Sequence, residues 1–306
     1  MIQITYNGVD ITGDVSIIRC YHDMYASGQT DTLHLRVNDA KCQWDAWGPA
    51  DGDEIRVDYG TVGTGTMFVS KAVPQNGIYD IVAQSSPQSG FEIQHKAWQQ
   101  VRLLQLGEEI AKRNGLAFSS YGVTDRMYSY ILQDGVSDFA FLHFRAMLES
   151  CAFLVYDKRL ILYSEPHMEQ ITPTEALEIT ADGDYKYNGR RADLYGSCVV
   201  ENGLYSGVFD ADNGSARLYR PKTSGGAGSA AEAERFAKGF LRSVNKGCYG
   251  GYVRSRILPG YAAASTLELK NPRAASWDGT VFLDHIRNDY GRGESKLFFR
   301  KPLEGY

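Results

Sequence analysis

Seven residues, GTMFVSK at residues 65–71, recur in altered form as GTVFLDH at residues 279–285. In each copy a Gly-Thr pair precedes three apolar residues, and a strand with alternating apolar and polar side chains lies a short distance upstream. A loop and one further apolar strand follow each copy. Internal similarity of this kind implies duplication. We therefore predict two related β-domains that bracket a different central segment.

The segment around the first copy has the pattern of an all-β domain. Residues 1–6 alternate apolar and polar side chains, and Asn7-Gly8 follows as a strong hairpin signal. Residues 32–37 and 54–59 also alternate, which places their apolar side chains on one face. With further strands at 65–69 and 78–83, we assign residues 1–91 to a first tube-like β-barrel domain.

The central segment, residues 92–166, is predicted to be an α+β insert with two helices and a hairpin. From about residue 97 the pattern changes, and apolar residues recur at helical spacing until Asn114-Gly115 ends the helix. A second helix begins after Ser137, a good N-cap, and is apolar on more than one face. Strands at 153–156 and 160–163 predict the hairpin.

Residues 167–306 return to strand patterns and are predicted to form a second tube-like β-barrel domain with one packed helix at about 230–246. The helix begins with a capping box, Ser229 to Glu232, and has a single apolar face suited to a sheet. The polar, glycine-rich residues 222–229 before it predict a mobile loop. The predicted class is thus β-rich α+β, with two barrels and an insert.

Bulk composition excludes several kinds of protein. The chain has 306 residues and a net charge of -5, so it lacks the basic footprint of a tight nucleic-acid binder. Its five Cys residues form no CxxC pair and no disulfide framework, which favours buried free thiols in a reducing cytoplasm. We find no signal peptide and no apolar run of the roughly 20 residues that span a bilayer. We expect a chain made in the cytoplasm without membrane contact.

The search for chemistry predicts no catalytic, cofactor-binding or metal-binding residues, and therefore no enzyme. The six His residues have no metal-ligand spacing. Glycines at 60–65 and 225–228 lack the context of a P-loop or dinucleotide fingerprint, and residues 203–207 lack nucleophile-elbow spacing. Acidic residues at 51–54 and 210–214 are typical of turns, and the second group lacks the twelfth-position Glu of a calcium loop.

Two other function classes stay open at this point. A cell-wall hydrolase would need paired carboxylates, for which Asp51 and Asp53 are candidates. A carbohydrate-binding β-sandwich would need an exposed aromatic ring, for which Trp98 and Trp277 are candidates. Trp277 lies beside a turn and a strand, so a role in the core is the preferred interpretation for it.

Four stretches, in this order, resemble the tail hub proteins of contractile-tailed phages. That family includes the late control D proteins and the related N-terminal module of type VI secretion spike proteins. Residues 52–57 with 65–69 are similar to the family's first barrel, and residues 103–116 to its first insert helix. Residues 133–142 resemble the opening of its second helix, and residues 277–285 its closing β-segment. The polar residues 202–230 match nothing in the family pattern.

The resemblance implies a structural role in a phage tail, tailocin or other contractile injection system. It implies a homotrimeric baseplate hub that joins a sixfold tail tube to a threefold spike, because three copies with two barrels each supply six similar domains. The implied partners are the tube protein, a spike protein and other baseplate proteins, with DNA passing through the lumen without specific binding. The chain ends at Tyr306 without a spike domain, so we expect the spike to be a separate polypeptide.

Overall fold

Strands make up most of the regular structure in this computed structural model, which describes residues 2–180 and 183–306. Residue 1, the start of the predicted first strand, lies outside the described residues. The first part of the chain forms β1 (Ile2–Tyr6), β2 (Val9–Asp10), β3 (Ser16–Tyr25), β4 (Thr32–Asn38), α1 (Gln43–Trp47), β5 (Glu54–Tyr59), β6 (Val62–Gly63), β7 (Met67–Gln75) and β8 (Ile78–Gln84).

The middle of the chain mixes strands and helices. It forms β9 (Ile93–Arg102), α2 (Leu103–Arg113), β10 (Ala117–Tyr121), β11 (Met127–Ser137), α3 (Asp138–Leu148), β12 (Cys151–Tyr156), β13 (Arg159–Ser164) and α4 (Glu165–Glu169). Strands β9 and β11 pair with each other and were not predicted. The apolar residues Trp98 and Val101 of β9 are three apart, a spacing that imitates a helix, so the expected change of pattern at residue 97 was placed too early.

The last part of the chain forms strands around one long helix. These elements are β14 (Ala176–Glu178), β15 (Tyr185–Gly189), β16 (Ser197–Asn202), β17 (Tyr205–Asp210), β18 (Leu218–Tyr219), α5 (Ala230–Asn245), β19 (Tyr249–Arg256), β20 (Thr266–Lys270), β21 (Gly279–Asp289) and β22 (Glu294–Arg300). Single 3-10 turns lie at Gln88–Phe91, Arg191–Asp193 and Ala275–Trp277. In the described ranges no helix is long and apolar enough to cross a bilayer.

Local signals in the sequence are confirmed at hairpins and caps. Asn7 and Gly8 have φ values of 46° and 81°, as a tight hairpin turn with right-handed strand twist requires. The Ser229 hydroxyl accepts a hydrogen bond from the Glu232 amide, and the Glu232 carboxylate accepts one from the Gly228 amide. Ser137 caps α3 by accepting from the Ala140 amide. These caps satisfy amides that a helix start otherwise leaves unpaired.

Both copies of the repeated motif lie in one network of fourteen hydrogen-bonded strands. Its main order is β15-β19-β22-β21-β3-β4-β8-β7-β5-β1-β2, with β20 beside β21, β14 beside β20 and β6 beside β5. The first β-unit is defined here as β3-β4-β8-β7-β5 and the second β-unit as β15-β19-β22-β21-β20. The five strands occur in the same chain order and the same pairing order in both units.

A shared irregularity supports the correspondence between the two β-units. The register of β7 against β8 shifts between Val69 and Lys71, and that of β21 against β22 shifts between Leu283 and His285. In the repeated motif, Val69 corresponds to Leu283 and Lys71 to His285. Because a β-bulge is a specific feature of a fold rather than a random defect, its recurrence at the same motif position supports duplication. The units differ outside these strands, since β1 is antiparallel to β5 whereas β14 is parallel to β20.

The β-rich class is confirmed, but the predicted barrel closure is not. Among the residues described, the sheet path runs from β15 to β2 without returning to its start, so no sheet closes into a barrel. The reason is that alternation along a strand indicates which face is buried, while closure depends on which distant edges meet. Alternating patterns in the sequence contain no information on that second point.

Three hydrophobic cores lie under these elements. One belongs to the first β-unit, and another to the second β-unit. The largest joins helices α2 and α3 of the middle segment to α5 and β16, which come from the last part of the chain. The predicted domain boundaries, at residues 91/92 and 166/167, stay a prediction.

Two glycines allow α5 to approach its neighbours closely. A methyl group on Gly207 of β17 would lie 2.1 Å from the Glu234 amide nitrogen, and one on Gly239 would lie 2.4 Å from the carbonyl oxygens of Met147 and Leu148. Real side chains do not approach backbone at such distances. The helix therefore packs directly on the backbone of β17 and of the end of α3.

Candidate functional site: an assembly interface

The two β-units meet where β21 pairs antiparallel with β3, a junction called the seam below. It runs from His285 opposite Tyr25 to Asp289 opposite Tyr21. The Ala26 amide donates to the Asp284 carbonyl at 2.8 Å, and the Tyr290 amide donates to the Cys20 carbonyl at 3.0 Å. The seam thus makes one sheet of two units that have separate cores.

A buried carboxylate clamps the seam. Asp23 on β3 is 1% exposed and accepts hydrogen bonds from His285 Nε2 at 2.6 Å and from Arg287 Nε at 2.8 Å and Nη2 at 3.0 Å. Burial by itself raises the pKa of Asp23, but the hydrogen bonds from His285 and Arg287 outweigh it and hold the pKa below its usual value. Asp23 is therefore a charged acceptor that joins side chains of the second unit to the first.

Aromatic rings cross the same junction as a row. Tyr252, Phe298, His285 and Tyr25 lie opposite one another on β19, β22, β21 and β3. The His285 ring stacks on Phe298 at 4.6 Å and on Tyr25 at 4.4 Å, centroid to centroid. Cross-strand aromatic pairs stabilise sheets beyond the area they bury. The row adds side-chain packing to the seam's hydrogen bonds.

Each unit also has a strand edge that resembles one side of the seam. In the second unit, the residues of β21 that follow the bulge pair with β22 on one side and with β3 on the other. In the first unit, the corresponding residues of β7 are Lys71 to Gln75, and they pair only with β8. At the other end of the sheet, β15 pairs only with β19. Since β15 corresponds to β3, the chain presents one unpaired edge of each kind, within the residues that the structure describes.

Backbone directions at the two edges match those of the seam. Asp284 and Tyr290 form backbone hydrogen bonds with β3. Alternate residues of a strand direct their backbone N–H and C=O groups to the same side, so those of Ile286 and Asn288 also point towards β3. Their counterparts on β7 are Ala72 and Pro74, which face the open edge. Proline lacks an amide hydrogen and is tolerated in strands where that hydrogen would point away from the sheet. Pro74 therefore independently supports this orientation.

A buried ionic cluster supports the second unit from behind. Arg242 Nη2 of α5 donates to Glu169 Oε1 of α4 at 2.7 Å, and Arg300 Nη2 of β22 lies 2.7 Å from the same oxygen. Arg300 Nε donates to Asp284, the residue at the β21 bulge, at 3.0 Å. The cluster consists of Glu165, Glu169, Arg242, Lys246, Asp284 and Arg300. These ion pairs link α4 and α5 to the sheet, and removal of one partner would leave an uncompensated charge in a buried place.

The carboxylates considered for hydrolysis hold a turn. Asp51 is exposed, whereas Asp53 accepts hydrogen bonds from the Tyr6 hydroxyl and from the Ala50 amide. Desolvation raises the pKa of Asp53, and the hydrogen bonds from Tyr6 and Ala50 outweigh it and lower that pKa. A general acid needs the opposite shift. These contacts agree with the turn interpretation of residues 51–54.

The tryptophans considered for sugar binding are both packed. Trp98 is 3% exposed, and the Lys96 ammonium lies 3.8 Å from the centre of its ring. Trp277 stacks on Tyr187 at 4.5 Å with nearly parallel rings. The packing of Trp98 leaves almost none of its surface free for a sugar, and Trp277 has one ring face covered by Tyr187.

The other sequence candidates also have packing roles. Asp210 accepts a hydrogen bond from the Asp212 amide at 2.9 Å, as in an Asx turn. The loop predicted to be mobile is held by Arg145, which donates to the Gly225 carbonyl at 2.8 Å, and by Asn202, which donates to the Ala227 carbonyl at 2.7 Å. In the described part of the chain no three His, Cys, Asp or Glu side chains are grouped to hold a metal.

The residues that form the seam could not be identified from the sequence. Asp23 and His285 are 262 positions apart, so no local spacing links them. The only available signal was the repeated motif, which contains His285 and predicts a second unit but not which strand it pairs with.

Comparison with solved structures shows where this arrangement of strands recurs. The 43 kDa tail protein of prophage MuSo2 from Shewanella oneidensis superimposes with a TM-score of 0.74 at 12% identity, over 98% of each chain. A tail protein from Neisseria meningitidis MC58 gives 0.76 at 10% identity, over 99% of this chain and 97% of that one. The sequence itself matches no protein-family model and no curated protein.

A third structure extends the likeness beyond phage proteins. The E. coli c3393 protein, described as a component of the type VI secretion system with structural similarity to the T4 tail proteins gp27 and gp5, gives a TM-score of 0.60. It is 10% identical, and the match covers 99% of this chain and 78% of that one. The chain therefore has the fold of these phage tail proteins and of this type VI secretion component.

Proposed function

We propose that this chain is the structural hub of a phage tail, or of a tail-like injection device such as a tailocin, and that it acts as a homotrimer. The observation that carries the proposal is the pair of unlike open edges on two corresponding units. The same units already pair inside the chain at the seam. Repeating that pairing between copies joins β15 of one chain to β7 of the next.

A head-to-tail contact of this kind closes into a ring when its rotation divides a full turn. Two β-units per chain and three chains give six similar units, which suits a sixfold tail tube on one side and a threefold spike on the other. The fold that this chain shares with the Shewanella oneidensis and Neisseria meningitidis tail proteins supports this arrangement. We further propose a late control D type hub at the baseplate, with tail tube, separate spike and other baseplate proteins as partners.

The proposal includes the predicted division of the chain. Residues 1–91 and 167–306 would each contribute a tube-like domain, whose barrel is completed by neighbouring copies rather than within one chain. Residues 92–166 would form the insert, packed on α5. The role is structural and requires no cofactor.

Replacing Ala72 with proline tests the contact between copies. The substitution removes a backbone donor from the open edge of β7 and leaves the hydrogen bonds to β8 in place. We expect the full-length protein to have the mass of three chains by light scattering, and A72P to have the mass of one.

A matched control is Ala230→Pro, at the exposed first residue of α5, where proline is tolerated. It should stay trimeric. Circular dichroism establishes that both variants are folded. A folded A72P that remains trimeric, or a wild-type protein that is monomeric at every concentration, contradicts the proposal.

A further inference from the structure

One face of the long sheet is open to solvent across both β-units. Residues paired across neighbouring strands lie on the same face of a sheet. The strand registers therefore identify the residues of this face on each strand from β15 to β7. The opposite face covers the cores of the two units. We call the solvent side the open face.

Basic side chains of the second unit are concentrated on the open face. Arg254, Lys296 and Arg287 lie opposite one another on β19, β22 and β21, which places one cation about every 5 Å across the strands. Arg256 lies two residues further along β19, and Lys186 lies opposite Tyr252 on β15. All five belong to the exposed or half-buried residues of the chain.

The first unit continues this pattern. Arg19 and Arg36 lie opposite each other on β3 and β4, and the exposed Lys71 lies on β7. Some of the cations are neutralised, since Arg36 pairs with Asp80 and Arg287 with Asp23.

Other cations of the open face form no close ion pair, although Glu294 lies opposite Arg256 in the strand register. Among the residues that the structure describes, Arg19, Arg256 and Lys296 form no ion pair within 4.0 Å. The Lys296 ammonium instead lies 3.7 Å from the centre of the Tyr252 ring. Against the eight cations named above, the registers place four carboxylates on this face: Asp23, Asp80, Asp289 and Glu294. The most central of them, Asp23, is buried in its clamp. The open face is therefore positively charged on a chain whose net charge is -5.

We propose that the open face binds the phosphate backbone of duplex DNA. Charge complementarity is the basis, because a broad array of Lys and Arg releases the counterions condensed on a duplex. An acidic peptide fits less well, since extended peptides bind sheets through an edge rather than a face. Single-stranded DNA also fits less well, because it needs free ring faces for its bases. Here Tyr25 and Phe298 cover the two faces of His285, and the Lys296 ammonium lies over one face of the Tyr252 ring.

This binding changes what the hub would do to DNA that passes it. A wall of acids repels DNA and lets it slide, whereas a cationic face retains it until salt or force displaces it. The inference does not rest on the ring, because one chain already presents the whole open face. Its failure is thus distinguishable from failure of the trimer.

Fluorescence polarisation of a labelled mixed-sequence duplex, titrated with the full-length protein over a series of salt concentrations, tests the proposal. The test variant combines Arg19→Gln, Arg256→Gln and Lys296→Gln. We expect wild-type protein to bind at low salt. In the variant, the slope of log affinity against log salt should fall by roughly 0.9 for each phosphate that is no longer neutralised.

The control variant combines Lys41→Gln, Lys112→Gln and Lys222→Gln, exposed lysines outside the open face. It has the same net charge as the test variant and should keep the wild-type slope. Light scattering of all three samples reports their oligomeric state, and the single variants serve where the triple one fails to fold. Absence of wild-type binding at low salt, equal slopes for both triple variants, or tighter binding of polyglutamate or single-stranded DNA overturns the proposal.

Discussion

At the level of single residues, Asp31 is a carboxylic acid almost out of contact with water. It is 6% exposed, and the Tyr25 amide donates to its Oδ1 at 2.8 Å. Desolvation raises the pKa of Asp31 to about 7, with a further contribution from the nearby charge of Asp23. In the unfolded chain the same group ionises near its ordinary pKa of about 4.

This difference gives a pH dependence of stability with a defined sign. Between about pH 4 and pH 7 the folded state binds the proton more tightly than the unfolded state, so stability falls as the pH rises. Asp31→Asn keeps the acceptor for the Tyr25 amide and removes the ionisation. We expect urea unfolding to show the variant equal to wild type near pH 4 and more stable by up to roughly 4 kcal/mol at pH 8.

Asp51→Asn, at an exposed carboxylate, is the matched control for this series and should show no such difference. A stability difference between Asp31→Asn and wild type that is the same at both pH values would mean that folding does not raise the pKa of Asp31.

At the level of elements, the close approach of α5 to α3 depends on Gly239. A methyl group there would meet two backbone carbonyl oxygens, which cannot move like a flexible side chain. We expect Gly239→Ala to lower the free energy of unfolding by about 1–3 kcal/mol, although alanine is the better helix former. Gly247→Ala, where nothing lies within 4 Å, is the control. Equal stability of the two variants in urea would argue against this packing.

Some elements could be predicted from local sequence features, and others could not. Helix α5 was predictable because its cap and its apolar stripe are local features. Strands β9 and β11 were not, because their outer faces are partly apolar, with Tyr130 and Leu132 about half exposed, so the alternation is weak. The Asp23 clamp was beyond reach, since it forms only when two strands far apart in the chain become neighbours.

At the level of the whole molecule, two units with separate cores are coupled through the seam. Asp23→Asn removes the buried negative charge that accepts hydrogen bonds from His285 and Arg287, and leaves both donors with a weaker, neutral acceptor. We expect differential scanning calorimetry of the variant to resolve two transitions where wild type shows one. Asp51→Asn again serves as control. A single transition at a lower temperature would mean that the units unfold together without the clamp.

The clamp also has a mechanical consequence. Matching the registers strand by strand places Asn188, Lys71 and Val73 where the seam has Asp23, His285 and Arg287. The open edges therefore lack the clamp, and Pro74 removes one more backbone donor from them. In a ring of three chains, strong joints inside chains would alternate with weak joints between them. Under load the proposed ring would yield at three places and separate into intact chains, and a damaged assembly would then be rebuilt from its parts.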